Sequence, residues 1–401
     1  VKLALTLMVR DEADIIGPML DHHFAQGVDV VIVTDNGSTD GTAEILQGYA
    51  DRGLIDLRHD PLHRKQQSPV VTAMARDAAT VHGADWVINA DADEFFLPVD
   101  RSRTLREVFE LLDPGIRSFL VPVTNLTGAP AAAGSGIQRL VYRDQRPEVL
   151  LLATGLHAHP TADAVHVGDP EVEVIQGNHF VSIASNGLPP EELAIEVLHL
   201  PWRSWAQYSH KVEVSGRAYD DNPELTPSPN HHGMRDYRRL QAGALLPFYL
   251  LRHPDAAQLA AGIAAGYFVE DRVLADALSS PVTDVPLDAE VLESFERFAP
   301  ALRDAEARSA AAESRHRAEL RTQRDELRTQ REEFEAAARE REATATATLR
   351  AVEDQLTHAR QENELTQKHV QSLETAVEEL SARPEVRAGN RLRRLARRGR
   401  R

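Results

Sequence analysis

From residue 1 to about 123, strand-like apolar runs at 3–9, 28–34, 54–58, 86–90 and 119–123 alternate with helical patterns at 15–26, 42–50, 70–82 and 105–112. Repeated strand–helix units imply an α/β domain with a mixed, mainly parallel sheet and helices on both faces. The apolar character of the 28–33 run fits a buried central strand. Between about 125 and 187, turn signals such as Gly128-Ala129-Pro130 and Gly168-Asp169-Pro170 break the pattern and predict irregular antiparallel additions to the sheet. Helical patterns return from 190 to about 298, interrupted by a loop at 222–232 carrying Pro223, Pro227 and Pro229.

After Pro300 no Gly or Pro occurs until Pro384, and Ala, Glu, Arg, Gln, Leu and Thr dominate. A long helix is predicted. Leu320, Leu327 and Phe334 recur every seven residues, and a better seam follows as Leu349/Val352, Leu356/Ala359, Asn363/Thr366, Val370/Leu373 and Val377/Leu380. That 3-4 spacing is the mark of a coiled coil, so a homodimer through this helix is expected. The two phases do not match across the Ala/Thr-rich stretch 343–348, where the register breaks. The resulting division is 1–215, a catalytic domain; 216–299, a helical extension; 300–382, a long helix; and 383–401, a basic tail.

Composition narrows the function. The net charge of −17 gives the chain no general attraction for phosphate backbones, so nucleic acid is not expected as a partner. Zero cysteines remove disulfides, thiolate zinc sites and cysteine nucleophiles together. Any metal must then sit on oxygen or imidazole. The longest apolar runs fall short of the ~20 residues that span a bilayer, and a strand-like segment already begins at Leu3. A cytoplasmic protein is the expectation.

The strongest chemical signal is the block 88–96, Ile-Asn-Ala-Asp-Ala-Asp-Glu-Phe-Phe, in which an apolar strand ends in three carboxylates. In an extended chain Asp91 and Asp93 point the same way and can converge on one oxygen-preferring cation. Such a cation offsets the charge of a diphosphate leaving group. Asp35 ends another apolar strand, where open α/β sheets bind ligands, and its carboxylate suits a base imide or a ribose hydroxyl. Ser38, Thr39 and Asp40, which follow it, suit turn and helix-cap duty.

Taken in order and spacing, the opening Leu-Thr-Leu-Met-Val-Arg-Asp-Glu-Ala-Asp-Ile-Ile, the turn Thr-Asp-Asn-Gly-Ser-Thr-Asp-Gly-Thr and the block Trp-Val-Ile-Asn-Ala-Asp-Ala-Asp-Glu-Phe resemble the family 2 glycosyltransferases. The likeness is to the bacterial branch that carries Asp-x-Asp-Glu-Phe, and it covers roughly residues 3–215. It implies a GT-A fold, a nucleoside-diphosphate sugar as donor, and a divalent cation, Mn2+ or Mg2+, at Asp91 and Asp93. It also implies nucleotide contacts from Arg10 to Glu12 and from Asp35, with Asp91 beside the donor. Asp11 is a departure, since relatives usually carry Asn before the Glu. Residues 199–211 resemble a further block of that branch, which makes His199 a candidate third cation ligand and Arg203 and Lys211 candidate partners of the diphosphate. Arg64, Lys65, Gln66 and Gln67 sit where relatives approach the nucleotide. His157, His159 and His179 are read as structural hydrogen-bonders.

Inverting transfer needs a carboxylate that takes the acceptor's proton, and Glu191 and Glu192 lie where that base commonly falls. The same two residues also suit the first turn of a helix. The expected function is metal-dependent transfer of a sugar to a hydroxyl of a glycan or lipid-linked acceptor, inverting, in service of cell-envelope polysaccharide. Two alternatives stand beside it: a nucleotidyltransferase on a similar sheet, and a coiled-coil scaffold with a degenerate transferase domain. Nine arginines against the single Glu385 in 383–401 predict peripheral contact with an anionic inner membrane face.

Overall fold

A computed structural model describes residues 1–61, 67–156, 158–175, 177–184, 187–220, 232–385 and 388, and all structural statements concern these. Arg64, His157 and most of the basic tail lie outside them. The chain divides into two units, Val1–Glu313 and Ser314–Arg401.

The first unit opens with β1 (Leu3–Val9), α1 (Ile16–Ala25), β2 (Val30–Asp35), α2 (Thr42–Asp51), β3 (Ile55–His59), α3 (Gln67–Thr80) and β4 (Trp86–Ala90). It continues through β5 (Glu94–Pro98), α4 (Leu105–Leu111), β6 (Ser118–Val121), β7 (Val123–Thr127), β8 (Ala131–Ala133), β9 (Tyr142–Asp144), α5 (Glu148–Leu152), β10 (Asp163–Val167) and β11 (Ile195–His199). Then come α6 (Trp205–Asp220), α7 (His232–Gln241), α8 (Leu245–Arg252), α9 (Ala256–Ala264), β12 (Phe268–Glu270), α10 (Val273–Ala277), β13 (Val285–Pro286) and α11 (Ala289–Ala382).

The main sheet has the order β3-β2-β1-β4-β10-β6, with its first four strands parallel and β10 antiparallel to both neighbours. Its central strands are buried on both faces, which is why they read as apolar runs. A second sheet, β12-β9-β7-β11-β5, gathers strands from well-separated parts of the chain, between Glu94 and Glu270. The strand expected at 119–123 is two strands, because Pro122 cannot donate to a ladder and the chain changes sheets there.

Phe95 and Phe96 are completely buried and clamp the acidic turn to the core, at about 1.5–3 kcal/mol for each such side chain. On α1, His22 donates from Nε2 to the Phe96 carbonyl at 2.8 Å, and His23 accepts from the Phe96 N–H at 3.3 Å. Burial holds both imidazoles neutral, pushed down to about 4 and about 3 respectively.

Helix α11 begins at Ala289, eleven residues before the change in composition, and runs through Pro300. Phe295 and Ala299 belong to a core shared with α6, α7 and α8, so packing carries the helix past a residue that removes one of its hydrogen bonds. No described helix is long and apolar enough to cross a membrane.

Candidate active site

The carboxyl ends of β1, β2 and β4 open onto one side of the main sheet, and three loops meet there. Asp11, at a φ of 54°, turns the first loop; a short polar side chain tolerates that conformation. Its Oδ1 accepts from the Thr39 N–H at 2.7 Å, and its Oδ2 pairs with His210 Nε2 at 2.8 Å. Burial works against its charge, but these partners outweigh it and keep the carboxyl below its ordinary value. Asp40 receives the Thr42 and Ala13 N–H groups at 3.0 Å each, so the polar run 38–40 ties the first two loops together. Asp35 is buried at the end of β2, accepts from the Ser38 N–H at 3.2 Å and faces His59 at 3.7 Å. Arg10 reaches across to the Asn36 carbonyl at 2.9 Å.

Asp91 and Asp93 do not meet through strand alternation. Residues 91–93 form a turn between β4 and β5, closed by the Glu94 N–H on the Asp91 carbonyl at 3.1 Å and the Asp91 N–H on Glu94 Oε2 at 2.8 Å. Asp91 Oδ1 accepts from Gln67 Nε2 at 3.0 Å and Asn178 Nδ2 at 3.2 Å. Burial and the nearby Asp93 charge push the Asp91 carboxyl up. Glu94 is pushed well above the carboxylate range, first by burial and then by Asp91.

Asp93 is the opposite case. Only 1% exposed, its Oδ2 receives Lys211 Nζ at 2.7 Å and lies 3.5 Å from Arg203 Nη1 and 3.6 Å from His199 Nε2. Burial would raise this carboxyl, but Lys211 and His199 outweigh it and hold it well below the usual range. Its other oxygen, Oδ1, is buried without a hydrogen-bond partner.

Arg203 is wholly enclosed, with its guanidinium on Glu12, on Asp14 at 2.8 and 2.9 Å, and near Asp93. It was expected to face a diphosphate; in the structure it is an internal tie between the β1 loop and the acidic turn. Glu12 is correspondingly buried against Arg203, and burial raises its carboxyl to about 7 despite Arg203 and Lys211. Of the two expected diphosphate cations, Lys211 alone is accessible, with 41% of its side chain exposed. Burial opposes its charge, yet Asp93 and Glu12 hold the ammonium above its ordinary value.

Glu191 and Glu192 are separated from this cluster. They lie in a 3-10 turn before β11, at the end that pairs with Pro98, whereas the acidic turn meets the His199 end about 13 Å along the strand. A base is therefore not placed there. Gln67 contacts Asp91 and the Gly177 N–H, a buttress for the turn.

Three residues that sequence reasoning passed over complete the site. His199 Nδ1 lies 2.9 Å from Asn125 Oδ1, and since that oxygen only accepts, Nδ1 donates and Nε2 is left to face Asp93. Asn178, at a φ of 60°, is almost fully buried beside Asp91. Asp163, on β10 and 0% exposed, holds His179 Nδ1 at 2.9 Å. That hydrogen bond, against the cost of burial, raises the imidazole above its ordinary value. The one local signal was Gly177-Asn178-His179, a turn sequence that reads as structural.

A cation fits the donor chemistry. Asp93 Oδ1 is an anionic oxygen with no donor, a lack that a metal ion would remedy. Among the described residues no three His, Asp or Glu side chains close a cage, so Asp91, Asp93 and His199 do not form a complete ligand set by themselves. Mg2+-like ions commonly use one or two carboxylates, with water and phosphate oxygens for the rest.

Residues 7–121, which hold the loops after β1 and β2 and the acidic turn, match the profile of glycosyltransferase family 92. Comparison with curated proteins yields no match. Among solved structures, S. aureus TarS 1-349 is 12% identical, covering 79% of this chain and 92% of that one at a TM-score of 0.34. Its complex with UDP-GlcNAc is 10% identical over the same shares at 0.29. Glucosyl-3-phosphoglycerate synthase from Mycobacterium tuberculosis, in complex with Mg2+ and UDP, is 18% identical, covering 31% of this chain and 43% of that one at 0.23. The fold is mixed α/β with a mainly parallel main sheet, and residues 7–121 carry the signature of a glycosyltransferase family.

Proposed function

We propose that this glycosyltransferase moves a sugar from a nucleoside diphosphate to a hydroxyl of a glycan or lipid-linked acceptor, with inversion and with a divalent cation. The observation that carries the reading is the acidic turn itself: Asp93 presents a buried, unpartnered oxygen beside an accessible Lys211. Asp91 and Asp93 would hold the cation, and His199 is oriented toward Asp93 by Asn125 as metal-binding imidazoles commonly are. When bound, the cation neutralises the diphosphate as it leaves. Lys211 adds a positive charge on the open side, and Asp35 addresses the nucleoside from the end of β2. Charge alone supports contact of the tail with an anionic leaflet.

The test is UDP release from UDP-glucose and UDP-GlcNAc by the full chain, with thermal shifts for UDP, GDP, dTDP and CDP in Mn2+. A matching nucleotide at 100 times its Kd stabilises by ~2.7 kcal/mol. No shift with any of the four and no release would sink the donor reading.

His179 is the favoured proton acceptor in this mechanism. Asp163 fixes its Nδ1–H, leaving Nε2 as the basic atom, and Asn178 next to it is anchored on Asp91. His179→Ala is expected to lower turnover by about 10²–10⁴-fold with UDP binding unchanged, and added imidazole is expected to restore part of it. Because Asp163 raises the imidazole, Asp163→Asn should move the alkaline-rising limb of the rate profile to lower pH. Full activity in His179→Ala, or loss traced to weaker UDP binding, would return His179 to a structural role.

A further inference from the structure

In the second unit, the seam of α11 is bare. Leu349, Val352, Leu356, Val370, Leu373, Val377 and Leu380 are each between 47% and 63% exposed, and with Ala359, Asn363 and Thr366 between Leu356 and Val370 they line one face at alternating three- and four-residue spacing. A lone helix gains little from propensity in water, and most helical stability comes from packing an apolar face. This face has the geometry for a second helix of the same kind.

We infer that residues 349–380 form a parallel, in-register, two-stranded coiled coil with a second copy of this chain. The inference is independent of the reaction catalysed. Two features choose the partner and its direction. Asn363 occupies a central core position, next to Thr366 in a seam otherwise made of Leu, Val and Ala, and an Asn in such a core specifies register and a two-stranded state when it meets its own counterpart. That meeting occurs only in the parallel, aligned pair.

Charge agrees. In the parallel pair the flanking positions place Gln355 beside Arg360, Glu362 beside Gln367 and His369 beside Glu374, with no like charges opposed. In the antiparallel arrangement that aligns the same seam, Glu353 comes opposite Glu374 and Asn363 opposite Thr366. Like charges there are destabilising, and the Asn pair is lost. The face extends about 48 Å at 1.5 Å per residue, long enough for more than four heptads.

The absence of cysteine makes the test direct. Full-length protein is expected to sediment at twice its 44.4 kDa chain mass. Leu356→Glu with Val370→Glu is expected to halve that mass. Val352→Cys, oxidised, is expected to link two chains to each other, because aligned positions come within disulfide reach only in the parallel register. Asn363→Val is expected to add species larger than the dimer as the register signal disappears. A monomeric mass for the unaltered protein would overturn the pairing. Failure of Val352→Cys to link, with linking in a mixture of Val352→Cys and Val377→Cys, would overturn its direction.

Discussion

Asp91→Asn and Asp93→Asn are both expected to lower metal-dependent UDP release by at least about 10²-fold, while only Asp93→Asn lowers stability. The loss of function follows from removing one of the two carboxylates that would hold the cation, whose positive charge offsets a departing diphosphate, an electrostatic contribution of about 10²–10³ in rate. Stability separates the two because their surroundings differ. Asp91 is charged against the cost of burial and the repulsion of Asp93, so a neutral isostere relieves both. Gln67 and Asn178 still find a side-chain oxygen to donate to. Its melting temperature should hold or rise, the trade of stability for function typical of a strained site. Asp93 instead neutralises Lys211 and Arg203, so its replacement leaves a buried cation short of a partner and should lower the melting temperature. Undiminished UDP release in Asp93→Asn with EDTA present would remove the metal from the mechanism.

Arg203→Met is expected to cost about 3–5 kcal/mol of folding stability, the range for removing one partner of a buried ionic group. The guanidinium is 0% exposed and engages Glu12, Asp14 and Asp93 together, so its loss leaves carboxylates enclosed without a counter-charge. Arg203→Lys should recover only part, since an ammonium cannot reproduce the fork. The deficit should shrink in mild acid. Glu12 in the folded protein is raised to about 7 from an ordinary 4.5, so the folded state binds the proton more tightly than the unfolded chain. Its contribution is most favourable below 4.5 and is lost as pH rises through about 7. Urea denaturation at pH 5.5 and pH 8 reads both effects. An unfolding free energy within about 1 kcal/mol of the unaltered protein's at pH 8 would show that Arg203 is not the tie it is drawn as.

The local pattern was a good guide wherever one strand or one helix face decided the outcome. Leu3–Val9 and Trp86–Ala90 are bounded as expected, because a buried parallel strand must be apolar on both faces and polar where it ends. The same rule brought out Asp35, Asp91 and Asp93, each of which stands at or just past a strand's carboxyl end. The start of α11 was displaced because composition marks a solvated helix, whereas Phe295 and Ala299 are held by other helices.

The roles within the site were a different matter. Arg203 and Lys211 read alike as basic residues of one block, yet one is sealed inside and the other opens to solvent. Arg203 finds its partner Asp14 189 residues away, and Lys211 finds Asp93 at a separation of 118. Glu191 and Glu192 had the right residue type in the right stretch of chain, but the antiparallel pairing of β11 with β5 sends them to its far end. His179 gained its orienting carboxylate only when β10 was inserted beside β4. The sequence by itself determined the parallel strands of the main sheet and which of their ends carry acids, since both follow from burial along one element; β11 falls where a helical pattern was expected, because its pairing with β5 and β7 is non-local. The tertiary structure alone decided which carboxylates stay charged and which cation faces a ligand, because desolvation and Coulomb forces depend on neighbours that the chain brings together from afar.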